Sequence, residues 1–307
     1  MSVRPSSGPA RVLTIAGSDS GGGAGIQADL KTMHQIGVYG LSVITAVTAQ
    51  NTMGVVGVQT MSGAIVEQQV SAVFDDLGVD AIKTGMLANA EIVEVVTALL
   101  AQHPACPLVV DPVMVAKGGA PLLSPEAVEG LRTRLFPLAQ VVTPNLPEAS
   151  AITGYAVHTL DDAERAARDI AGLGPAYVVV KGGHREETDG GAPREAIDVV
   201  YSAMNDTVFY LAAPFTPSRN THGTGCTFSS ATAALLALGW DAEEAIAGAK
   251  AFVSEAIAGS RTWNLGHGHG PTNHFAPPPP TRYRPLPGAV NRYHQGRWSV
   301  HNEGSRG

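Results

Sequence analysis

The feature of this chain that most restricts its fold is a regular alternation between two kinds of segment. Apolar runs of about five to seven residues, rich in β-branched side chains, alternate with amphipathic segments of about 12 to 18 residues. This alternation is typical of βαβ units, in which each helix connects two parallel strands and packs against the sheet. We therefore predict an α/β fold with a mostly parallel central sheet. The predicted strands are residues 12–16, 42–47, 81–85, 108–111, 141–144 and 177–181.

Two further segments carry local structural signals. Residues 196–203 and 207–212 are strand-like and are joined by a short turn, so we predict an antiparallel hairpin at an edge of the sheet. Ser124 followed by Pro125 is typical of a helix N-cap and first turn. We expect a helix to begin there and to extend toward Phe136.

The two ends of the chain differ in character from the middle. After Phe275 there are four consecutive prolines, and residues 276–307 hold five of the 20 basic side chains with Glu303 as their single acid. This composition predicts an extended or disordered tail, although its positive charge also allows it to lie against the acidic body or an acidic partner. We expect a flexible segment over 1–10, one folded domain over 11–275, and the tail.

Composition and charge exclude several classes of protein. The chain has 307 residues, of which 27 are acidic and 20 basic, and its formal charge of −7 provides no basic field for non-specific nucleic-acid binding. Cys106 and Cys226, the two cysteines, form neither a disulfide framework nor a pair at zinc-ligand spacing. No apolar stretch is long enough for a membrane helix, and no signal peptide is recognisable. We expect a soluble protein of the cytoplasm, without a nucleic-acid or membrane partner.

The first candidate binding loop is residues 17–25, which contain five glycines among nine residues and follow the first strand. The dinucleotide motif requires a third glycine where Ile26 stands, and the P-loop requires Lys-Ser/Thr where Gly23 and Ala24 stand. The loop therefore matches neither common nucleotide motif. A tight strand-to-helix turn needs only one or two glycines, so we interpret the excess as close approach of a ligand.

The second candidate loop is residues 222–228, which open an apolar, alanine-rich helix. A helix N-terminus preceded by glycines can bind an anion through its free N–H groups and the helix dipole. Cys226 lies in the first turn, where the same field favours a thiolate that could deprotonate an attacking hydroxyl. The alternative is a small packing residue, and that is the interpretation we prefer for Cys106.

Polar side chains also lie at the ends of four of the predicted strands. Asp111, Asn145 and Glu148 bear hard oxygen ligands of the kind that Mg²⁺ binds, although either acid alone could be a helix cap. Lys181 ends an apolar strand beside two glycines, which favours contact with a phosphate. Gln50 ends the second strand, and its amide can both donate to and accept from the edge of a heteroaromatic ring, or simply belong to a turn.

A metal site is not favoured elsewhere. His267, His269 and His274 lie in and after a Gly-His-Gly-His-Gly segment, but no acid or cysteine is near them in sequence, so we interpret the segment as a flexible glycine loop. Phosphate donors, a magnesium rim and a hydroxyl-activating group together predict phosphoryl transfer by positioning and electrostatics. The residues by themselves therefore indicate a small-molecule kinase.

Six segments in order resemble the hydroxymethylpyrimidine/phosphomethylpyrimidine kinases of thiamine biosynthesis, within the ribokinase-like superfamily. The resemblance covers roughly residues 11–275 and implies a three-layer α/β/α fold. It also implies that ATP phosphorylates the hydroxymethyl group of 4-amino-5-hydroxymethyl-2-methylpyrimidine, and then phosphorylates the monophosphate to the diphosphate at the same site. The segments that carry it are residues 16–32, 49–52, 83–87, 143–149, 181–184 and 220–226.

The resemblance implies a role for each matching residue. Gln50 would pair with the ring nitrogen and amino group of the pyrimidine, and the pocket around it would be formed by Gly17, Asp29, Met86 and Val113. Cys226 would be the catalytic base, and the anion hole would be formed by Gly223, Thr224 and Gly225. Lys181 would contact the ATP phosphates together with Thr224. Mg²⁺ and its waters would be ordered by Asp111 and Glu148, with Asn145 supporting that cluster.

Three alternatives remain open at the level of sequence. A related branch of the superfamily phosphorylates pyridoxal, and some members with this cysteine phosphorylate both substrates. A dinucleotide-binding oxidoreductase would use the first glycine loop, but the missing third glycine and the second anion loop argue against it. A non-catalytic vitamin-binding protein should have lost part of the anion hole, the lysine or the acids, and here all are present. A homodimer is an expectation from the superfamily.

Overall fold

The computed structural model describes residues 8–114, 123–182, 195–279 and 281–301. The strands are β1 (Arg11–Ala16), β2 (Tyr39–Ile44), β3 (Ala46–Asn51), β4 (Gly54–Thr60), β5 (Ala81–Thr84), β6 (Leu108–Val110), β7 (Val141–Val142), β8 (Tyr177–Val180), β9 (Glu195–Ser202), β10 (Thr207–Pro214), β11 (Val290–His294) and β12 (Arg297–His301). The helices are α1 (Gly25–Ile36), α2 (Gly63–Asp76), α3 (Ala90–Leu100), α4 (Pro125–Gly130), α5 (Leu146–Thr153), α6 (Leu160–Ala171), α7 (Thr224–Ala237) and α8 (Ala242–Ser260).

Ten of these strands form one sheet, in the order β12-β11-β10-β9-β8-β7-β6-β5-β1-β2. The six strands from β2 to β8 in this order are parallel, whereas β9 is antiparallel to β8 and β10. The interior strands β5 to β8 are buried along their whole length, as expected for strands with helices on both faces. The prediction of a mostly parallel sheet is therefore confirmed.

Helices cover both faces of the sheet and enclose two separate hydrophobic cores. The first core contains the inward faces of α2 to α6, for example Val66, Ile92 and Ile170. The second contains those of α1, α7 and α8, for example Met33 and Phe252. This is the three-layer α/β/α architecture implied by the resemblance. Within the described residues, no helix has both the length and the apolarity that a membrane crossing requires.

The predicted strand 42–47 is two strands, which separate at Thr45. The buried Thr45 hydroxyl donates to the Met86 carbonyl at 2.7 Å, and its own carbonyl accepts from the Met61 N–H at 2.9 Å. The chain then leaves the main sheet and forms a two-stranded antiparallel ribbon of β3 and β4. The sequence analysis missed β4, because most of this strand is exposed and lacks an alternating pattern.

The predicted helix after Ser124 is present. Ser124 Oγ accepts from the Ala127 N–H at 3.3 Å, and Pro125 occupies the first turn. A π-helical turn over Leu131–Leu135 and a 3₁₀ turn over Phe136–Leu138 continue α4. The chain is described up to residue 114, and residues 115–122, which precede this helix in sequence, lie outside the described part.

The prediction of an extended or disordered tail is wrong for residues 290–301. Strand β11 pairs in parallel with β10, and β12 pairs antiparallel with β11, so the hairpin of β9 and β10 is not at the edge of the sheet. The Trp298 ring stacks on Tyr283 at 4.7 Å between centroids and lies 5.3 Å from Tyr293. Arg292 Nε pairs with Glu195 at 3.0 Å, so positive charge of the tail does meet the acidic body.

We expect the substitution Trp298→Ala to lower the free energy of unfolding by about 2 kcal/mol, because it removes two aromatic contacts that hold the tail on the sheet. Urea unfolding followed by far-UV circular dichroism measures the change. His294→Ala, at an exposed position of β11, is the control. Equal midpoints for both variants would mean that the tail does not pack as described.

Candidate active site

The site lies where the parallel strands end, as it does in other open α/β sheets. Asp111 follows β6, Asn145 follows β7 and Lys181 follows β8, so three neighbouring strands present them at one edge. Asn145 and Lys181 are adjacent in a parallel bridge. The first turn of α7, with Gly225, faces the same edge from the second helical layer. The sequence prediction that these residues converge is therefore consistent with the observed placement.

Lys181 and Asp111 form an ion pair beneath the start of α7. Lys181 Nζ lies 3.0 Å from Asp111 Oδ1, and the two side chains are 15% and 3% exposed. A Cβ added to Gly225 would lie 3.4 Å from Lys181 Nζ and 3.5 Å from Asp111 Oδ2, so the helix backbone approaches the pair closely. Burial lowers the pKa of Lys181, but the carboxylates of Asp111 and Glu148 outweigh it and the pKa is raised. Lys181 is therefore a fixed positive charge.

Glu148 and Asn145 form a reciprocal cap at the start of α5. Glu148 Oε2 accepts from the Asn145 N–H and Asn145 Oδ1 accepts from the Glu148 N–H, both at 2.8 Å. Burial and the negative charge of Asp111 raise the pKa of Glu148 to about 7, although Lys181 and the Asn145 N–H favour the carboxylate. Two buried acids with one lysine between them leave negative charge that a cation can neutralise.

Helix α7 begins without a side-chain cap, so its first turn keeps backbone donors for a ligand. Gly223, at the N-cap, has a φ of +83°, and a Cβ there would overlap the carbonyl oxygen of Gly23. The Thr224 hydroxyl donates back to the Thr221 carbonyl at 3.1 Å. The glycine at position 223 is therefore required both by the backbone angle and by the neighbouring loop.

Cys226 lies in this first turn and is half-buried. Burial raises the pKa of its thiol to about 12, although the ammonium of Lys83 and the N–H of Gly25 favour the thiolate. The raised pKa favours the thiol, contrary to the expectation that the helix field favours a thiolate at Cys226. Cys106 donates its S–H to the Val79 carbonyl at 3.3 Å, which fits the packing interpretation for that residue.

Asp29, which the resemblance places around the pyrimidine, belongs to a buried ion pair, and its contact with a substrate stays a prediction. It is fully buried, and its carboxylate binds Lys83 Nζ at 2.9 and 3.0 Å. The hydroxyls of Thr14 and Ser230 donate to the same carboxylate. Burial lowers the pKa of Lys83, but the charge of Asp29 outweighs it and the pKa is raised. Asp29 therefore fixes a buried cation whose charge acts on Cys226.

The sequence analysis gave Lys83 no role, although it belongs to one of the six resembling segments. Lys83 is the largest fully buried side chain in the described part of the chain. The available signal was its position in an otherwise apolar strand of a chain with few lysines. Its partner could not be identified, because Asp29 is 54 residues away.

The first glycine loop is organised by Asp19 rather than held open for a phosphate. The Asp19 carboxylate accepts from the N–H groups of Gly21 at 2.8 Å, Gly23 at 3.1 Å and Ala24 at 2.8 Å. A Cβ added to Gly23 would lie 2.7 Å from Cδ2 of His222. The glycines therefore allow close approach of another loop of the protein. That the loop also approaches a ligand stays a prediction.

Gln50 and His222 bring the ribbon and the second loop together. Gln50 is half-buried at the end of β3, and its side-chain nitrogen lies 3.2 Å from His222 Nε2. A Cβ on Gly17 would overlap Cε of Met86, so these two residues form one wall. Val113, also half-buried, follows β6. The sequence analysis assigned a role to all of these except His222, which it placed at the start of the second candidate loop without a role of its own.

The histidines for which the sequence analysis did not favour a metal site lie in two structural contacts. The backbone of the glycine loop docks on the tip of the ribbon, where the His269 N–H donates to the Thr52 carbonyl at 2.9 Å. His274 Nε2 lies 3.1 Å from the Thr227 hydroxyl, below the first turn of α7. Burial lowers the pKa of His274 to about 4, and Lys31 and His222 add to this shift. Among the described residues, no cluster of three or more His, Cys, Asp or Glu could hold a metal.

Comparison with known proteins identifies the family. The profile of the family described as phosphomethylpyrimidine kinase matches residues 19–273. The chain belongs to this family. The hydroxymethylpyrimidine/phosphomethylpyrimidine kinase of Bacillus subtilis (strain 168) is 45% identical over 266 residues, which are 87% of this chain and 95% of that protein. As a family member, the chain is a kinase.

Solved structures of the family and its neighbours show the same fold. The crystal structure of a phosphomethylpyrimidine kinase from Clostridium difficile 630 has 45% identity and a TM-score of 0.69, covering 81% of this chain and 99% of the other. An ADP complex of Bacillus subtilis pyridoxal kinase has 40% identity and a TM-score of 0.79, covering 88% and 98%. A pyridoxal kinase is thus a close structural neighbour of the family.

His274 should make stability depend on pH. Its pKa is lowered from 6.5 to about 4 in the folded protein, so between these values the unfolded chain binds more protons. The folded state is favoured above pH 6.5, and this contribution is lost as the pH falls toward 4. From pH 7 to pH 5 we expect a loss of about 2 kcal/mol in the free energy of unfolding.

The substitution His274→Gln should remove that loss, and urea unfolding at several pH values measures it. The comparison is between slopes of stability against pH, so a uniform destabilisation does not affect it. His34→Gln, an exposed position of α1, is the control. If His274→Gln retains the wild-type slope, the acid sensitivity has another origin.

The substitution Lys83→Met should lower the free energy of unfolding by about 3–5 kcal/mol, because it leaves the carboxylate of Asp29 buried without its partner. Lys31→Met, at an exposed lysine, is the matched control. The double variant Lys83→Met/Asp29→Leu should recover part of the loss. Chemical denaturation of all three measures the effect, and a loss below about 1 kcal/mol for Lys83→Met would contradict the buried pair.

Proposed function

We propose that this chain uses ATP to phosphorylate 4-amino-5-hydroxymethyl-2-methylpyrimidine to its monophosphate and then to its diphosphate, in thiamine biosynthesis. Membership of the family supports this substrate, and the B. subtilis and C. difficile relatives bear the corresponding names. The single observation that carries the chemistry is the convergence of the Lys181–Asp111 pair with the uncapped start of α7. Positive charge and backbone donors face one place, as phosphoryl transfer requires.

ATP binds with its phosphates between Lys181 and the first turn of α7. The N–H groups of Gly223, Thr224 and Gly225 hold the transferring phosphoryl group, while the charge of Lys181 offsets its negative charge. Asp111 holds the Lys181 ammonium in place, so the cation needs little reorganisation to meet the nucleotide. This arrangement stabilises charge that develops during transfer.

Asp111 and Glu148 fit Mg²⁺. They supply two buried carboxylates, and this ion takes most of its remaining ligands from water and substrate phosphates. Burial, with the negative charge of Asp111 adding to it, raises the pKa of Glu148 to about 7, so a cation at these acids would favour its carboxylate. Mg²⁺ held there would neutralise charge on the ATP phosphates. Asn145 keeps Glu148 in place through the reciprocal cap at the start of α5.

Cys226 accepts the proton of the substrate hydroxyl. The hydroxyl oxygen forms a bond to the γ-phosphorus of ATP, the bond from that phosphorus to the bridging oxygen breaks, and ADP leaves with the electron pair. The O–H proton passes to the thiolate sulfur of Cys226. The ammonium of Lys83 is the cation that favours the thiolate form of this side chain. Because burial holds the pKa of the free thiol near 12, only a small fraction is competent at neutral pH.

The second phosphorylation needs no base. The acceptor is then an oxygen of the monophosphate, which is already ionised at neutral pH. Both steps use the same phosphate donors, so the site serves two acceptors of different chemistry. The first phosphorylation therefore depends on Cys226 as a base, whereas the second does not.

Pyridoxal is the second candidate substrate, because a pyridoxal kinase shares 40% identity and a TM-score of 0.79 with this chain. Family membership disfavours the oxidoreductase, and the site residues disfavour a non-catalytic binding protein, since Lys181, Asp111, Glu148 and Cys226 converge. A homodimer, residence in the cytoplasm and the absence of nucleic-acid partners stay predictions.

Turnover of hydroxymethylpyrimidine, its monophosphate and pyridoxal with ATP, followed by ion-exchange separation of products, tests the assignment. Pyridoxal phosphate as the sole product would overturn it.

We expect Cys226→Ala to reduce turnover of the first phosphorylation by about 10²-fold or more, and to leave the second little changed. In the wild type, first-step turnover should rise with pH from 7 to 9, because the thiol pKa of about 12 lies above this range. The variant should lose that rise. Steady-state kinetics on both acceptors measure the effect, and equal losses in the two steps would contradict a base role.

We expect Gln50→Ala to weaken pyrimidine binding much more than ATP binding, because it leaves the ring edge of the substrate unpaired. Isothermal titration with each ligand separately gives the two dissociation constants. Gln59→Ala, in the exposed strand β4, is the control. Equal losses for both ligands would place Gln50 outside the pyrimidine pocket.

A further inference from the structure

The side chain of His222 joins three elements at the entrance to the site. Its Nε2 lies 2.9 Å from Asp19 Oδ2 and 3.2 Å from the side-chain nitrogen of Gln50. His222 itself belongs to the segment before α7, Asp19 to the loop after β1, and Gln50 to the ribbon. The roles given above to the substrate-binding and phosphate-binding residues leave this contact unexplained.

The chemistry of Asp19 fixes the proton on His222 Nε2. Asp19 is 2% exposed, and its carboxylate accepts three backbone N–H groups as well as the histidine. Burial raises the pKa of Asp19, but the hydrogen bond from His222 and the N–H groups outweigh it and the pKa is lowered. An ionised carboxylate can only accept, so Nε2 carries a hydrogen and donates to it.

That donor in turn fixes the amide of Gln50. An amide nitrogen facing the Nε2–H would place two donors 3.2 Å apart, whereas the amide turned by 180° places its oxygen there as an acceptor. The opposite end of the amide lies 3.3 Å from Thr48 Oγ1. The Thr48 hydroxyl already donates to the Ser18 carbonyl at 2.8 Å, so it is free to accept an amide N–H. Both neighbours therefore favour the same orientation.

We propose that His222 is a positioning residue that fixes which end of the Gln50 amide faces which atom of the pyrimidine, and so selects a 4-aminopyrimidine over a 4-oxopyrimidine. This inference rests on the proposed function. In the fixed orientation, Gln50 keeps one free N–H for a ring nitrogen and one free oxygen lone pair for an amino group. A 4-oxopyrimidine presents a ring N–H and a carbonyl, which is the reverse pattern.

Accommodating the reversed pattern is costly because the amide would have to turn. Its nitrogen would then face the donor on His222, and its oxygen would face the lone pairs of Thr48. The turned amide would lose its share of the one His222 N–H, which also bonds Asp19, and its bond to Thr48, and a polar group left without a partner is penalised. Discrimination therefore comes from residues that do not touch the substrate.

The test compares kcat/KM for 4-amino-5-hydroxymethyl-2-methylpyrimidine and its 4-oxo analogue in each protein. We expect the wild type to prefer the amino compound by ~10²-fold or more, and His222→Leu to reduce this preference by ~10-fold or more. His222→Gln, which can return an N–H to the same place, should restore most of it. The KM for ATP should stay constant, and kcat on the amino compound should fall less than kcat/KM.

Thr48→Val provides a second route to the same answer. It removes the acceptor at the other end of the amide, so it should reduce the preference in the same direction even if His222→Leu does not fold. His34→Leu, at an exposed histidine of α1, is the control and should keep the wild-type ratio. A wild-type ratio in His222→Leu, or in Thr48→Val where the former does not fold, overturns the inference.

The failure of this inference is distinguishable from failure of the proposed function. If the wild type phosphorylates the aminopyrimidine and Gln50→Ala loses the amino preference, the proposed function holds whatever His222→Leu does. If the wild type turns over neither pyrimidine, the proposed function fails and the inference fails with it. Retention of the preference in Gln50→Ala would also overturn the inference, because discrimination would then lie elsewhere.

Discussion

The close approach of two loops is the constraint on which the site depends. The loop after β1 and the segment before α7 touch through Gly23 and Gly223, where a Cβ on Gly223 would overlap the Gly23 carbonyl. Asp19 closes this contact by binding three N–H groups of its own loop and the side chain of His222. The first turn of α7 and the end of the ribbon that carries Gln50 are thereby held relative to each other. The glycines serve this approach of protein to protein.

Buried lysine–aspartate pairs provide a second level of positioning. Lys83 pairs with Asp29 and Lys181 with Asp111, while Lys250 pairs with Asp198, whose other oxygen accepts the N–H of the residue after Lys181. Burial of an ion pair costs solvation energy that the attraction between the charges does not reliably offset, so such pairs are weak evidence for stability. Their common feature is location, because each pair includes a residue in, or directly after, a strand of the main sheet. We interpret them as devices that fix charge where the nucleotide and the thiol require it.

Much of this arrangement could be predicted from the sequence. The remaining features could not be predicted, for physical reasons. Hydrophobic periodicity indicates the parallel sheet because strands buried on both faces leave a continuous apolar signal. The ribbon strand β4 leaves no such signal, since its side chains are exposed. Candidate residues at strand ends were found because parallel strands bring them to one edge. The partners of Asp29 and of His222 could not be identified from the sequence, because they lie 54 and about 200 residues away.

The tail shows how an unpromising composition can still produce ordered structure. Strand β11 shares only the register Tyr210–Ala212 with Val290–Arg292, so backbone pairing alone holds little of it. The stacking of Trp298 on Tyr283 and the ion pair of Arg292 with Glu195 add contacts that hold these strands on the sheet. These strands lie beyond residues 19–273, the range that matches the family. An open edge at β10 would expose unpaired backbone groups, and the added strands move that edge to β12, where Arg297 and Ser299 are exposed. The extension therefore covers a sheet edge that the family domain by itself would leave to solvent.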